Sequence, residues 1–296
     1  MNTLPNHFSE IAQQISDATN TIFEIQNSKP ISGGDINRAF LLQGASARYF
    51  VKLNRADLVE MFAAEFAGLH ELAQTQTVKV PQPITFGQTA NTSFLVLEFL
   101  ELKRATPQAE RLFGEQLAQL HQLKQPFFGW QIDNTIGSTP QKNARAENWV
   151  TFWREKRLGF QLQLAAQKGY GSQLQALGEK LSERLDDFFV DYSPQPSLLH
   201  GDLWGGNVAT TEKNQPVMFD PACYYGDRET DLAMTELFGG FSQNFYAAYN
   251  DVWQLDAGYK TRKNLYNLYH ILNHVNLFGG GYASQATEMM QKLLAQ

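Results

Sequence analysis

The stretch that most constrains this chain runs Leu198-Leu-His-Gly-Asp-Leu-Trp-Gly-Gly-Asn-Val208. It places Asp202 and Asn207 five positions apart in one loop with apolar flanks. A second run ending Met-Phe-Asp-Pro-Ala brings in Asp220, after what the pattern predicts to be a small hairpin. Asp and Asn also favour ordinary turns, because their side chains bond nearby backbone. His-Gly-Asp alone is therefore weak evidence, and the complete spaced set carries the argument.

Protein kinases use the same spacing, an Asp-x-x-x-x-Asn catalytic loop followed by a metal-binding Asp. On that pattern, Asp202 would accept the proton of a substrate hydroxyl, Asn207 would hold one magnesium ion, and Asp220 would hold both. The tripeptide Phe219-Asp-Pro stands where a protein kinase has Asp-Phe-Gly. The spacing predicts a phosphoryl-transfer site.

Length and composition bound the remaining classes of protein. A chain of 296 residues, 43% hydrophobic, is longer than one compact core usually holds, so two lobes are expected. We predict an N-terminal ATP-binding lobe over residues 1–100 and a C-terminal catalytic and substrate-binding lobe over residues 101–296. The net charge of −6 and the lack of a basic block argue against nucleic acid as a partner. The single cysteine, Cys223, and the absence of a signal-peptide pattern favour the cytoplasm.

The N-terminal part predicts strands around a glycine turn. A helix is expected over residues 6–18, and strands over 21–25 and 39–42. Between these strands, Gly33 and Gly34 would let backbone N–H groups approach the phosphates of a nucleotide. An ordinary hairpin turn is the alternative interpretation, because the chain lacks Gly-x-Gly-x-x-Gly. It also lacks the P-loop pattern, which disfavours that class of NTPase.

A lysine in an apolar strand predicts the phosphate-binding ion pair. Lys52 lies in Arg48-Tyr-Phe-Val-Lys-Leu, and an amphipathic helix predicted over residues 57–73 carries Glu65 near its apolar side. In kinases such a Lys holds the α- and β-phosphates while the Glu orients it. Glu60 is the rival partner, and an edge-strand lysine reaching water is the structural alternative.

The next strand predicts a hinge. Residues 93–98 are strongly apolar and end at Glu98. Glu98, Phe99 and Leu100 therefore occupy the position where a kinase hinge hydrogen-bonds adenine. The alternative is a strand that simply leaves a sheet. A helix is expected over residues 107–123, with Thr106 as its cap and Leu112, Leu117 and Leu120 inward.

The second half predicts a mainly helical lobe. Helices are expected over residues 147–168 and 172–190, with Trp149 and Trp153 in the core. Asp227, Glu229 and Asp231 follow Asp220, and we interpret Glu229 and Asp231 as charges that stabilise a helix start. An apolar stripe predicts a late helix and is formed by Leu265, Leu268, Tyr269 and Leu272. His270 and His274 have zinc-helix spacing but lack the accompanying Glu, so zinc is not expected.

These motifs together resemble the fructosamine kinase (ketosamine 3-kinase) family, which is related to aminoglycoside phosphotransferases and choline kinases. The resemblance covers nearly the whole chain and is carried by His200–Asn207, Phe219–Glu229, Phe238-Gly-Gly-Phe241, Phe128-Gly-Trp, Ile136-Gly-Ser-Thr-Pro-Gln141 and Leu272–Gly279. Trp204 is the most discriminating residue, because the wider group varies after His-Gly-Asp.

The resemblance implies a fold, a reaction and two cofactors. The fold would be α+β and protein-kinase-like, with a small N-terminal antiparallel sheet lobe and a larger, mainly helical C-terminal lobe. The reaction would be phosphorylation by ATP, with Mg²⁺, of the 3-hydroxyl of a ketosamine, a glycation adduct. Trp204 and His274 are candidates for the sugar side, and a structural role is the alternative for each.

Some features separate this chain from its relatives or leave alternatives open. Certain eukaryotic relatives carry a cysteine in the glycine loop, whereas this chain reads Gly33-Gly-Asp-Ile, so redox switching there is not expected. A kinase for an aminoglycoside, choline or homoserine and a catalytically silent binding module remain as rivals. Neither nucleic acid nor a membrane is an expected partner, and a monomer is favoured.

Overall fold

The structure is a computed structural model that describes residues 6–32 and 36–296. In these residues the α-helices are α1 (Asn6–Thr19), α2 (Val59–Gln74), α3 (Pro107–Gln122), α4 (Trp149–Phe152), α5 (Phe160–Gln167), α6 (Ser172–Glu183), α7 (Glu229–Leu237), α8 (Gln243–Val252), α9 (Tyr259–Phe278) and α10 (Gly281–Leu294). The strands are β1 (Asn27–Ile31), β2 (Arg38–Gln43), β3 (Arg48–Arg55), β4 (Pro83–Gln88), β5 (Thr92–Glu98), β6 (Leu102–Lys103), β7 (Asn134–Ile136), β8 (Thr139–Gln141), β9 (Ser197–Leu199), β10 (Val208–Thr211), β11 (Pro216–Met218) and β12 (Tyr224–Gly226). None of the described helices is long and apolar enough to cross a membrane.

The first of two compact units is built on an antiparallel sheet. It comprises the described residues of Met1–Arg104 together with Ala209–Phe219. Its five strands lie in the order β1-β2-β3-β5-β4. Helix α1 packs on the sheet through Phe8, Ile11 and Ile15, which are buried in the same apolar cluster as strand residues of β2, β3 and β5. This confirms the predicted opening helix.

The strand predicted over residues 21–25 is wrong. The chain there is irregular, and the first strand begins at Asn27. Phe23 is buried and Ile25 packs against the same apolar cluster, whereas Ile22 is 86% exposed, so the alternation reflects two inward side chains without strand pairing. β1 forms an edge of the sheet, which is where a strand tolerates a proline such as Pro30. The strands predicted over 39–42 and 93–98 are confirmed within β2 and β5.

A small second sheet in this unit brings in a distant part of the chain. Its strand order is β11-β10-β6, and Thr210 is paired with Lys103, 107 positions earlier. β10 and β11 are the small hairpin expected before Asp220. The boundary placed between residues 100 and 101 stays a prediction. It does not anticipate the return of Ala209–Phe219, because that return depends on long-range strand pairing.

The second unit, Ala105–Val208 with Asp220–Gln296, is mainly helical. Helix α3 begins as predicted, because the Thr106 hydroxyl oxygen accepts a hydrogen bond from the Ala109 N–H at 3.2 Å. Helices α3 and α8 approach closely: a Cβ at Gly114 would lie 2.3 Å from the Phe245 carbonyl oxygen. Glycine at this position therefore permits the contact between the two helices.

Burial confirms most of the predicted core of this unit and corrects one residue. Trp149 and Trp153 are buried, as is the predicted stripe of α9. Leu117 and Leu120 also point inward, but Leu112 is 37% exposed. The third inward residue of α3 is Phe113, because positions 113, 117 and 120 share one helix face.

The two helices predicted over 147–168 and 172–190 are each interrupted. The first contains a π-helical segment, Trp153–Gly159, between α4 and α5. The second ends at Glu183 and continues as a 3₁₀ helix, Leu185–Phe189. Two short antiparallel pairs, β7–β8 and β9–β12, complete the unit.

Candidate active site

The loop that begins at His200 follows β9 and is anchored by a buried carboxylate. The backbone N–H groups of His200 and Gly201 donate to the two carboxylate oxygens of Asp231, at 2.8 and 2.9 Å. Gly201 has a φ of 81°, and a Cβ there would lie 2.1 Å from the Ala222 carbonyl oxygen. Glycine is required by both the backbone conformation and the close approach. The loop is thus fixed before the chain reaches Asp202.

Asp202 and Asn207 are brought together within this loop. A 3₁₀ turn, Gly205–Asn207, folds the amide back towards the carboxyl. Asn207 Nδ2 donates to the Asp202 carbonyl oxygen at 2.9 Å and to Asp202 Oδ2 at 3.3 Å. Because Nδ2 is engaged in this way, Oδ1 is the amide atom that Asn207 can offer to a cation.

The carboxyl of Asp202 lies in an unusual electrostatic environment. Its removal from water raises the pKa, and the nearby carboxylate of Asp220 raises it further. The hydrogen bond from Asn207 acts in the opposite direction, and the resulting pKa is about 7. Asp202 is half-buried, so part of its surface still meets water. A carboxyl with this pKa can take up a proton near neutral pH, as a general base must.

Asp220 directly follows the small second sheet and has a left-handed backbone conformation. Its φ is 58°, which is uncommon for any residue other than glycine and is better tolerated by Asp than by most. Two residues later, the Ala222 N–H donates to the His200 carbonyl oxygen at 2.8 Å. The segment that carries Asp220 is therefore hydrogen-bonded to the loop that carries Asp202.

The predicted helix-start position of Asp231 is confirmed, but stabilising the start of α7 is not its only role. Asp231 does lie in the first turn of α7, but its carboxylate accepts from the loop backbone, and His121 Nε2 lies 3.3 Å from its Oδ2. Burial alone would raise the pKa of Asp231, but the hydrogen bond and electrostatic interaction with His121, the electrostatic interaction with His200 and the hydrogen bond from Gly201 together lower that pKa. Asp231 thus positions the loop. Sequence reasoning missed this role because the contact spans about 30 residues.

Glu229 is the first residue of α7, as a helix-start charge should be, but its main partner is distant in the chain. Its carboxylate forms a buried ion pair with Arg262 of α9, with N–O distances of 2.7 and 3.0 Å. Asp227 has the local role instead, since its Oδ1 accepts from the Glu229 N–H at 3.0 Å. Its Oδ2 accepts from the Tyr266 hydroxyl at 2.5 Å. These contacts fix the start of α7, and with it Asp231.

The predicted lysine–glutamate pair forms in the first unit. Lys52 Nζ lies 2.6 Å from Glu65 Oε1, and both side chains are almost completely buried. The rival residue, Glu60, is exposed one turn earlier on α2. A buried lysine needs such a counter-charge. The edge-strand alternative is also wrong, because β3 lies in the middle of the sheet between β2 and β5.

The other residues predicted for the nucleotide are placed as follows. Glu98 ends β5, and its Oε2 accepts from the Gln82 N–H at 3.2 Å. The Phe99 ring is covered by the Arg48 guanidinium, 4.9 Å from its centroid. Leu100 follows in irregular chain. Gly33 and Gly34 lie outside the described residues.

The two residues predicted for the sugar side are both accessible. Trp204 is 39% exposed, within the loop between Asp202 and Asn207. His274 Nδ1 donates to the His270 carbonyl oxygen at 2.7 Å. Because a carbonyl only accepts, the Nε2 of a neutral His274 is left as an acceptor. The His274 ring also packs against Phe238 and Tyr282, with centroid distances of 5.1 and 4.9 Å.

The donor atoms of the loop fit magnesium better than zinc. The Asp220 carboxylate and the Oδ1 of Asn207 offer oxygen atoms, which Mg²⁺ prefers, and magnesium in phosphoryl-transfer sites needs only one or two carboxylates besides phosphate and water. In residues 6–32 and 36–296, no group of three or more His, Cys, Asp or Glu side chains is arranged to hold a metal ion.

Comparison with solved structures defines the class of protein. An aminoglycoside phosphotransferase solved with ADP is similar over 95% of this chain and 98% of its own, with a TM-score of 0.63 at 14% identity. A protein of Haemophilus somnus provisionally named fructosamine-3-kinase is similar over 96% of both chains, with a TM-score of 0.88 at 32% identity. The fold is α+β and protein-kinase-like, with one antiparallel-sheet unit and one mainly helical unit.

Sequence comparison defines the family. The model of the fructosamine kinase family matches residues 7–296. A Synechocystis protein named probable ketoamine kinase is 48% identical over 291 residues, which cover 98% of each chain. The chain therefore belongs to the fructosamine kinase family, and its reaction class is phosphotransfer.

Proposed function

We propose that this protein transfers the γ-phosphoryl group of ATP to the 3-hydroxyl of a ketosamine. The observation that carries the proposal is the loop in which Asp202 and Asn207 meet beside Asp220. Membership of the fructosamine kinase family supports the substrate class, as do the names of the Synechocystis and Haemophilus relatives. Phosphate esters formed next to the ketone are labile, so the reaction would begin removal of a glycation adduct.

The chemical step follows from the properties of Asp202. The 3-hydroxyl oxygen would form a bond to the γ-phosphorus while the bond from that phosphorus to the bridging oxygen breaks, which releases ADP. The hydroxyl proton would pass to the Asp202 carboxylate. Magnesium, bound by Asn207, Asp220 and the phosphates, would neutralise charge on the phosphate oxygens.

The first unit would bind the nucleotide. Lys52, oriented by Glu65, would hold the α- and β-phosphates, and Gly33 and Gly34 would cover them. Backbone groups from Glu98 to Leu100 would receive adenine. Burial of the Lys52–Glu65 pair supports this role, since a structural surface pair would be solvated.

Trp204 and His274 would contact the sugar. An exposed indole can stack on a sugar face, and the free Nε2 of a neutral His274 can accept a hydrogen bond from a hydroxyl. The proposal includes a cytoplasmic location and a monomer, with no nucleic-acid or membrane partner.

A substrate panel tests the proposal. Purified protein is given Mg–ATP with fructosyl-, ribulosyl- and erythrulosyl-amines, and in parallel with aminoglycosides, choline and homoserine, and ADP release is measured. We expect turnover only with ketosamines, and none for Asp202→Asn. Turnover only on the second set would replace the substrate class. A thermal shift with Mg–ATP but no ADP release on any acceptor would favour the silent binding module.

A further inference from the structure

Two buried amide side chains of the β7–β8 hairpin hold the backbone just after Asp220. Asn134 and Gln141, called here the amide clamp, lie directly opposite each other in this hairpin. Asn134 Nδ2 donates to the Cys223 carbonyl oxygen at 2.8 Å, and Gln141 Nε2 donates to the Ala222 carbonyl oxygen at 3.1 Å. Two consecutive carbonyl groups are therefore bound by two side-chain donors that face each other across the hairpin.

The orientation of each amide is fixed by further hydrogen bonds. The Tyr269 hydroxyl donates to Gln141 Oε1 at 2.7 Å, so the Nε2 of Gln141 must face the Ala222 carbonyl. Gln141 Nε2 also donates to Asn134 Oδ1 at 2.8 Å, which in turn directs the Nδ2 of Asn134 to the Cys223 carbonyl. Both clamp residues have less than a tenth of their surface exposed.

Asn143 and Arg157, the latter from the π-helical segment, hold the amide clamp in place through further hydrogen bonds. Asn143 Nδ2 donates to Asn134 Oδ1 at 3.0 Å, and Arg157 Nη2 donates to Asn143 Oδ1 at 2.8 Å. Arg157 is fully buried and also lies over the Tyr224 ring, 4.1 Å from its centroid. The clamp is thus part of a rigid, hydrogen-bonded block.

The backbone of Ala222 is also bound by the loop that begins at His200. The Ala222 N–H donates to the His200 carbonyl oxygen, while the Ala222 carbonyl meets the clamp. Asp220, two residues earlier, has a φ of 58°. Asp tolerates such a conformation better than most residues, and contacts of the neighbouring backbone can stabilise it further. The two sets of bonds on Ala222 supply such contacts.

We infer that Asn134 and Gln141 are positioning residues, which set the position of the Asp220 carboxylate for metal binding by fixing the backbone of Ala222 and Cys223. This inference rests on the proposed function, in which Asp220 binds magnesium. Partners that orient a metal ligand typically change metal affinity or activity by roughly 10–100-fold when they are removed.

The test replaces a donor by an acceptor of the same shape. In Gln141→Glu, one carboxyl oxygen still accepts from Tyr269, but the other, which faces the Ala222 carbonyl, can donate only if the buried carboxyl is protonated, so Gln141→Ala, which has no donor in either case, is measured beside it. Gln175→Glu, at a partly buried position, is the control, because Gln175 Nε2 also donates to backbone carbonyls, those of Leu162 and Tyr170, where it joins α6 to α5. Binding of Mn²⁺ in the presence of ADP is measured by electron paramagnetic resonance of the free ion, and Mg²⁺ dependence of turnover is measured in parallel.

We expect Gln141→Glu to weaken Mn²⁺ binding by about 10–100-fold and to raise the Mg²⁺ needed for half-maximal turnover equally, with the KM for ketosamine unchanged. The control, Gln175→Glu, should have the Mn²⁺ affinity and the Mg²⁺ dependence of the wild type. Gln141→Ala, which buries no charge, carries the same expectation as Gln141→Glu and replaces it if the latter does not fold. Equal Mn²⁺ binding by Gln141→Ala and the control would overturn the inference. Wild-type protein that binds no Mn²⁺ with ADP would overturn the proposed function and this inference with it.

Discussion

Asp202→Asn is predicted to stabilise the ligand-free protein while it abolishes turnover. The carboxyl loses hydration on folding and lies near the carboxylate of Asp220, and both effects disfavour its ionised form. An amide of the same shape has no charge to bury, and its oxygen can still accept the hydrogen bond from Asn207. The ionised Asp202 side chain is therefore predicted to make the ligand-free protein less stable than an asparagine at the same position would.

The pKa of Asp202 sets the size of this effect and its pH range. The folded-state pKa is raised, to about 7 from an ordinary value of 3.8. Folding therefore favours the protonated carboxyl, and the unfavourable contribution is absent below about pH 4, grows between pH 4 and 7, and is complete above pH 7. At about 1.4 kcal/mol per pH unit, the upper limit is roughly 4 kcal/mol. Because Asp202 is half-buried and its neighbours can relax, we expect a gain of about 1–3 kcal/mol.

Thermal unfolding at pH 5 and pH 8 without nucleotide or metal measures the effect. At about 2–3 °C per kcal/mol, the Tm of Asp202→Asn should exceed that of the wild type by roughly 2–9 °C at pH 8, with a smaller difference at pH 5. Asp256→Asn is the control, because a hydrogen bond from Arg262 lowers the pKa of Asp256 and its removal should bring no gain. A Tm gain for Asp202→Asn that is the same at both pH values, or a loss at pH 8, would show that ionisation of Asp202 does not destabilise the folded protein.

Three further substitutions test other parts of the site. Lys52→Met should lower turnover by at least about 100-fold, and it should lower stability by roughly 3 kcal/mol because Glu65 is left buried without a counter-charge. The double variant Lys52→Met/Glu65→Gln should regain Tm but not turnover. Recovery of both Tm and turnover would indicate a purely structural pair. Trp204→Ala should raise the KM for ketosamine about tenfold, as loss of a contact of about 1.4 kcal/mol does, with Tm and the KM for ATP unchanged; an unchanged ketosamine KM would remove Trp204 from the sugar site. Asp231→Asn should lower Tm, because a buried backbone N–H loses its acceptor at about 1–3 kcal/mol, and should lower kcat with little change in the KM for ATP; wild-type kcat would show that Asp231 does not position the loop.

The sequence predicts those parts of the site that are local in the chain. Asp202 and Asn207 share one loop, so their spacing alone places them together. Lys52 and Glu65 lie on adjacent elements, and helical periodicity favours Glu65 over Glu60 because it points to the apolar face of α2. Apolar spacing likewise predicts α1 and α9 and most of their buried residues.

Long-range polar contacts are what the sequence does not reveal. Asp231, Glu229 and Gln141 look like ordinary polar residues at a helix start or in a turn. Their partners lie about 30 to 130 positions away, in His200, Arg262 and Tyr269. The failed strand over residues 21–25 has a similar cause, since alternation over five residues does not show whether a neighbouring strand is available for pairing.

The position of the phosphate in the product shows whether the protein phosphorylates the 3-hydroxyl of a ketosamine. Wild-type protein is incubated with Mg–ATP and a fructosyl-amine whose C3 carries ¹³C, and the product is examined by ³¹P and ¹³C NMR. We predict one phosphate ester, with phosphorus coupled to the labelled C3, and no such product with Asp202→Asn. A phosphate on another hydroxyl, or ATP hydrolysis without a phosphorylated sugar, would contradict it.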